Sequence, residues 1–154
     1  MIVGIDPGLT GAVAFLDGES YFVEDMPVMA HGKGHSRVKN QVNPVELAAM
    51  LNHSIELVVI ERVNSMPGQG SASIFSLGDT YGCIRGVVGA LGLPMETVNP
   101  REWKKYYNIN SDKEIARARA IERYPRVDLS KKKHHNKAEA LLIARYGEMK
   151  LMNR

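Results

Sequence analysis

Short apolar runs, each closed by an acid or a turn signal, organise the first hundred residues. Residues 2–5 (Ile-Val-Gly-Ile) end at Asp6 and meet Pro7-Gly8, the pattern of a buried strand broken by a turn. Residues 11–16 read as a second strand, Asp17-Gly18 as a hairpin turn, and residues 20–26 as a third strand in which Tyr21 and Val23 alternate with Phe22. The opening therefore predicts a three-stranded antiparallel meander with an acid at the end of its first strand. Residues 27–42 carry His31, Lys33, His35, Arg37 and Lys39 among glycines without periodicity, and predict a polar loop. Residues 57–60 (Leu-Val-Val-Ile) form another short apolar run, ended by Glu61, and predict a central strand. If it lies parallel beside the first strand, Asp6 and Glu61 share one edge of the sheet.

Helical grammar fills the remainder. Asn43-Pro44-Val45-Glu46 offers a cap, a first-turn proline and a capping-box acid, with Val45, Leu47, Ala48 and Leu51 as the predicted buried face. After a Pro67-Gly68 loop, Ile74, Leu77, Tyr81, Ile84, Val88 and Leu91 recur at steps of three and four and predict a helix over 71–91. Gly78, Gly82 and Gly86 form a second stripe on it. Glycine costs up to ~1 kcal/mol per helix position, so the stripe implies close backbone approach, within the subunit or across a dimer. Residues 95–98 read as a strand. Asn99-Pro100-Arg101-Glu102 repeats the helix-start grammar, and Ser111-Asp112-Lys113-Glu114 is a third capping box whose helix stops before Pro125. The last helix spans about 136–150. Trp103 is expected in the core, Cys83 as a small buried hydrophobe, and His31, His35 and His53 at the surface.

Strands in antiparallel order followed by alternating helices and strands give an α/β chain with a mixed sheet. The 154 residues suit one domain, 1–154, and 44% apolar with 24% charged residues suits a folded globular chain. No apolar run reaches the ~18 residues of a membrane span, and the N-terminus reaches Asp6 without a positive n-region, unlike a signal peptide. A single cysteine excludes a multi-cysteine zinc site, and a reducing cytoplasm is the expected compartment. Charge is unevenly spread. Residues 1–98 hold 5 basic and 10 acidic side chains, residues 99–154 hold 15 and 7, so an anionic partner is expected to dock on the C-terminal half.

Three acids stand out. Asp6 and Glu61 terminate apolar strands, where a carboxylate is costly unless paired, hydrated or bound to a cation. Glu139 sits in Ala138-Glu139-Ala140-Leu141-Leu142, with Asn136 three and His135 four residues before it on the same helical face. Carboxylates without thiolate or clustered imidazole suit Mg²⁺, with Mn²⁺ as a substitute. Two such ions about 4 Å apart activate a water and stabilise the leaving oxygen in phosphodiester cleavage.

The ordered motifs Gly4-Ile5-Asp6-Pro7-Gly8, Val59-Ile60-Glu61 and Ala138-Glu139-Ala140-Leu141 resemble those of RuvC-type Holliday junction resolvases, in particular phage and prophage forms, within the ribonuclease H-like superfamily. The resemblance runs over nearly the whole chain. It implies a ribonuclease H-like fold and a homodimer that makes paired symmetric nicks in four-way DNA junctions with Mg²⁺, with no membrane and no small-molecule cofactor. Asp6, Glu61 and Glu139 match three of the four metal-site residues. At the fourth, where the family has an aspartate or a histidine, this chain has Asn136 preceded by His135, and either is a candidate for the role. Lys104 and Lys113 resemble the family's phosphate-contacting lysines, with Lys105, Lys132, Lys133 and Lys137 as further basic contacts. Arg62, Asn64 and Met66 stand in the loop that the family inserts at the junction centre. Three other readings remain: a ribonuclease H-like nuclease for branched DNA or RNA–DNA hybrid, a junction-binding protein with weakened catalysis, and a sugar-kinase-type phosphotransferase. The last is argued by Gly4 to Gly11 alone and opposed by the short chain.

Overall fold

The computed structural model describes residues 1–30, 40–65, 67–110 and 112–152. The meander forms as the pattern predicts. Strands β1 (Ile2–Asp6), β2 (Ala12–Asp17) and β3 (Ser20–Asp25) pair antiparallel. The next strands in the same sheet are β6 (Leu57–Glu61), parallel to β1, and β7 (Met95–Val98), parallel to β6, giving the order β3-β2-β1-β6-β7. The register pairs Ile5 with Ile60, so Asp6 and Glu61 follow side by side on the two central strands.

Two strands were not legible in the polar segment 27–42. Its ends, β4 (Val28–Ala30) and β5 (Asn40–Val42), pair with each other through a separate two-stranded ladder. Three residues each are too few for an alternation to register. The histidines His31 and His35 lie outside the described residues.

Helices cover both faces. Helix α1 (Pro44–Met50) is capped by Asn43, whose side chain accepts from the Glu46 amide. Its predicted buried face is half right. Leu47 and Leu51 are buried and Ala48 is half-buried, but Val45 is 78% exposed because it stands in the first turn, beyond the sheet edge. Helix α2 (Ser71–Ala90) buries only Thr80, Ile84 and Val88; Cys83 is half-buried and Ile74, Phe75 and Leu91 are exposed. Helix α3 (Pro100–Tyr106) starts with a complete Asn99–Glu102 capping box. Helix α4 (Lys113–Arg123) is capped by Asp112, while Ser111 lies outside the described residues. The end of the lysine run forms a 3₁₀ turn (Lys132–His134) that leads into α5 (His135–Tyr146). The expected helical tail to Lys150 continues as a π turn (Gly147–Leu151).

The strands' period of two sorts the core into two layers. Val3, Ile5, Val58 and Ile60 face α1 and α2, with Leu47, Ile84 and Val88. Ile2, Leu57, Val59 and Val98 face α3, α4 and α5, with Trp103, Leu141 and Ile143. Asp6 and Glu61, in phase with Ile2 and Leu57, belong to this second face. Helix α5 lies so close on β1 that a Cβ at Gly4 would stand 2.3 Å from the Ala140 carbonyl oxygen, so only glycine fits there.

Candidate functional site

Strand order and helix docking bring three acids to one end of the sheet. Asp6 is buried at the end of β1 and Glu61 half-buried at the end of β6. The β1–β2 turn closes tightly behind Asp6. The Gly11 amide donates to the Gly8 carbonyl at 3.0 Å, and a Cβ on Gly11 would meet the Asp6 carbonyl oxygen at 2.0 Å. Glu139 comes from the middle of α5, buried among Ala138, Ala140 and Leu141. The small neighbours let the helix approach β1 and aim this carboxylate at the strand ends.

The acids feel one another. Burial, then the charges of Glu139 and Glu61, push the Asp6 carboxyl well above the usual carboxylate range. Burial is also the largest cause of the upward shift at Glu61; a hydrogen bond from Trp103 opposes it and Glu139 adds to it. One oxygen of Glu139, Oε1, is buried without a hydrogen-bond partner and has only the Lys104 ammonium, 3.3 Å away. An all-oxygen donor set of mutually repelling acids, with Glu139 Oε1 held by an ammonium and no hydrogen bond, fits a hard divalent cation. The carboxylates do not stand at ligand spacing as they are. Among the described residues no group of three or more His, Cys, Asp or Glu is arranged to hold an ion. Lys104 supplies the positive charge that Glu139 faces.

Trp103 is a functional neighbour that the sequence placed in the core without a role. It is fully buried, and its indole N–H donates to Glu61 Oε1 at 2.8 Å. The bond fixes the direction of the Glu61 carboxylate. The partners stand 42 positions apart, and only the packing of α3 beside β6 reveals the pair.

The two candidates for the fourth position behave differently. Asn136 turns its amide Nδ2 to the Thr10 carbonyl oxygen at 2.5 Å. His135 has both ring nitrogens engaged: Nε2 lies 3.0 Å from Lys113 Nζ and Nδ1 lies 2.9 Å from the Lys132 carbonyl oxygen. An ammonium only donates, so Nε2 accepts and Nδ1 carries the proton that the carbonyl receives. The imidazole is held between Lys113 and Lys132.

The expected basic contacts divide by position. Arg101, Lys104 and Lys105 line one cleft of about 490 Å³. Lys113 and Lys133 line another of about 560 Å³, walled by Thr10 and Asn136 and floored by Leu9 and Met26. Lys105, Lys113, Lys132 and Lys133 are exposed. Lys137 turns instead to Asp25, at 3.3 Å. Arg62 reaches Thr97 Oγ1 at 3.2 Å and Asn64 is exposed, while Met66 lies outside the described residues. No helix among the described residues is long and apolar enough to cross a membrane.

No family model matches the chain, and no curated protein matches it in sequence. In three dimensions it is similar to RuvC of Thermus thermophilus, at 18% identity and a TM-score of 0.56 over 96% of this chain and 95% of that one. It is likewise similar to T. thermophilus RuvC in complex with Holliday junction substrate, at 16% identity and a TM-score of 0.59 over 96% of this chain and 94% of the other. The fold is therefore that of RuvC, a mixed five-stranded sheet flanked by helices, as the three sequence motifs implied.

Proposed function

We propose that this protein is a metal-dependent endonuclease that resolves four-way DNA junctions by paired symmetric nicks as a homodimer. The observation that carries the reading is the meeting of Asp6, Glu61 and Glu139 at one end of a RuvC-like sheet. A structural neighbour solved with Holliday junction substrate supports the choice of DNA. Asp6, Glu61 and Glu139 would hold Mg²⁺ or Mn²⁺. Such ions, when bound, supply an activated water and charge stabilisation for the leaving oxygen of a phosphodiester.

The chain's own residues do the rest. Trp103 orients Glu61. Lys104 pairs with Glu139, and with that carboxylate engaged by a bound cation its ammonium would be free to contact a DNA phosphate. Lys105, Lys113, Lys132 and Lys133 supply backbone contacts that hold a polyanion beside the acids. Two nicks need two sites, and α2 offers the surface to join them. No heavy atom lies within 4 Å of a Cβ built on Gly78, Gly82 or Gly86, so nothing among the described residues covers the glycine stripe, and Ile74 and Phe75 beside it are exposed. A second copy packing there accounts for both.

The test is cleavage of a four-way junction, a linear duplex and an RNA–DNA hybrid, each with Mg²⁺ and with chelator. The reading requires Mg²⁺-dependent nicking confined to the junction. Preferential cutting of the hybrid would make the protein a ribonuclease H-type enzyme. Junction binding without cleavage in Mg²⁺ or Mn²⁺ would make it a binding protein.

A further inference from the structure

The fourth position of the acid cluster is occupied by a residue that does something an acid cannot. We infer that Asn136 is a positioning residue: its side-chain amide ties the β1–β2 turn to the first turn of α5 and so sets the spacing of Asp6 and Glu139. The inference rests on the nuclease reading for its purpose, but not for its geometry.

Asn136 Nδ2 donates to the Thr10 main-chain carbonyl at 2.5 Å, with Thr10 Oγ1 at 3.4 Å. Thr10 lies in the turn that begins directly after Asp6. Asn136 lies one helical turn before Glu139 on α5. This hydrogen bond therefore ties the turn after Asp6 to the helix that carries Glu139, in addition to the packing of α5 on β1 at Gly4. The rest of the turn is anchored elsewhere: Gly11 N–H to the Gly8 carbonyl at 3.0 Å, and Met26 N–H to the Gly11 carbonyl at 2.9 Å. Neither bond reaches α5.

The chemistry selects an amide. A carboxylate at neutral pH has acceptors and no donor, so the substitution Asn136→Asp would set an anion against the Thr10 carbonyl oxygen. Turning Nδ2 to Thr10 also means that the amide nitrogen, which is not a metal donor, is the atom fixed by the fold. Asn136 further forms part of the wall of the cleft that holds Lys113 and Lys133, so the same bond shapes the path beside the acids.

Amide hydrogen exchange in metal-free protein without DNA reads the link directly, whatever the protein cleaves. Asn136→Ala and Asn136→Asp are expected to speed exchange of the Gly11 amide at least ~10-fold, the loss of about one hydrogen bond's worth of local protection. Asn136→Gln, which keeps the donor, restores part of that protection. Thr10→Ala, which keeps the carbonyl, leaves it unchanged. Cores in α2 and β6 should exchange at the parental rate in every variant, which separates a loosened turn from a misfolded chain. On a junction, Asn136→Ala is expected to lower kcat while leaving KM within about threefold, with Gln restoring part of the loss. Parental exchange at Gly11 in Asn136→Asp, together with Mn²⁺ binding tightened tenfold or more, would overturn the inference and make the position a ligand site. Parental exchange in Asn136→Ala overturns it as well.

Discussion

At the scale of one residue, burying the Asp6 carboxyl costs stability. Its carboxyl is held above the ordinary range chiefly by burial, so the folded chain binds its proton more tightly than the unfolded chain does. Below pH ~3.9 both states are protonated and the residue costs nothing. As pH rises from there through the raised value, the fold loses stability, and above it the full penalty persists. Asp6→Asn in metal-free protein should therefore melt higher than the parent at pH 7–8, by several degrees, with the gain vanishing near pH 3.5. Thermal melts across that range check the sign, and a lower melting temperature at pH 8 would contradict it. Trp103→Phe is the complementary change. It removes the donor to Glu61 and leaves a smaller ring in a fully buried site, with an expected cost of ~2 kcal/mol or more in stability and at least ~10-fold in cleavage rate. Asp6 and Glu61 were legible because an acid ending an apolar strand is conspicuous in one dimension. Trp103 was not, since an indole N–H shows its partner only after folding.

Elements were read well where the period was long or the caps explicit. The Asn-Pro-x-Glu starts gave α1 and α3, and Asp17-Gly18 between two strand-like runs gave the hairpin β2–β3. The pair β4–β5 escaped because three-residue strands carry no usable period. Helix α2 had the clearest stripe, and yet Ile74 and Leu91 on it are exposed, since periodicity reports an apolar face and not what covers it. The docking of α5 on β1 leaves no room for a Cβ at Gly4. Gly4→Ala would drive a methyl group into the α5 backbone near Ala140 and Ala144, with an expected loss of about 3 kcal/mol or more. Because α5 carries Glu139, any folded fraction should also lose activity, which chemical denaturation paired with a cleavage assay measures.

At the scale of the molecule, the charge asymmetry of the sequence becomes spatial. Arg101, Lys104, Lys105, Lys113 and Lys133 line the clefts near the acids, whereas α2 on the other face of the sheet presents glycines and exposed apolar side chains. DNA on one face and a second subunit through the other satisfy both surfaces. Ile74→Asp with Phe75→Asp should leave the fold intact, since both side chains are exposed, and convert a dimer to a monomer by light scattering at micromolar concentration. A parent that is already monomeric, with or without junction DNA, would contradict the dimer.

In the proposed function the buried acids perform junction cleavage while the basic surface performs binding. The most direct measurement follows Asp6→Asn on a four-way junction in Mg²⁺, scoring nicks and binding in one reaction. The account predicts paired symmetric nicks by the parent, a loss of cleavage of at least ~1000-fold in the variant, and junction affinity within a few-fold of the parent. Parental cleavage by Asp6→Asn, or loss of binding together with cleavage in a folded variant, would contradict it.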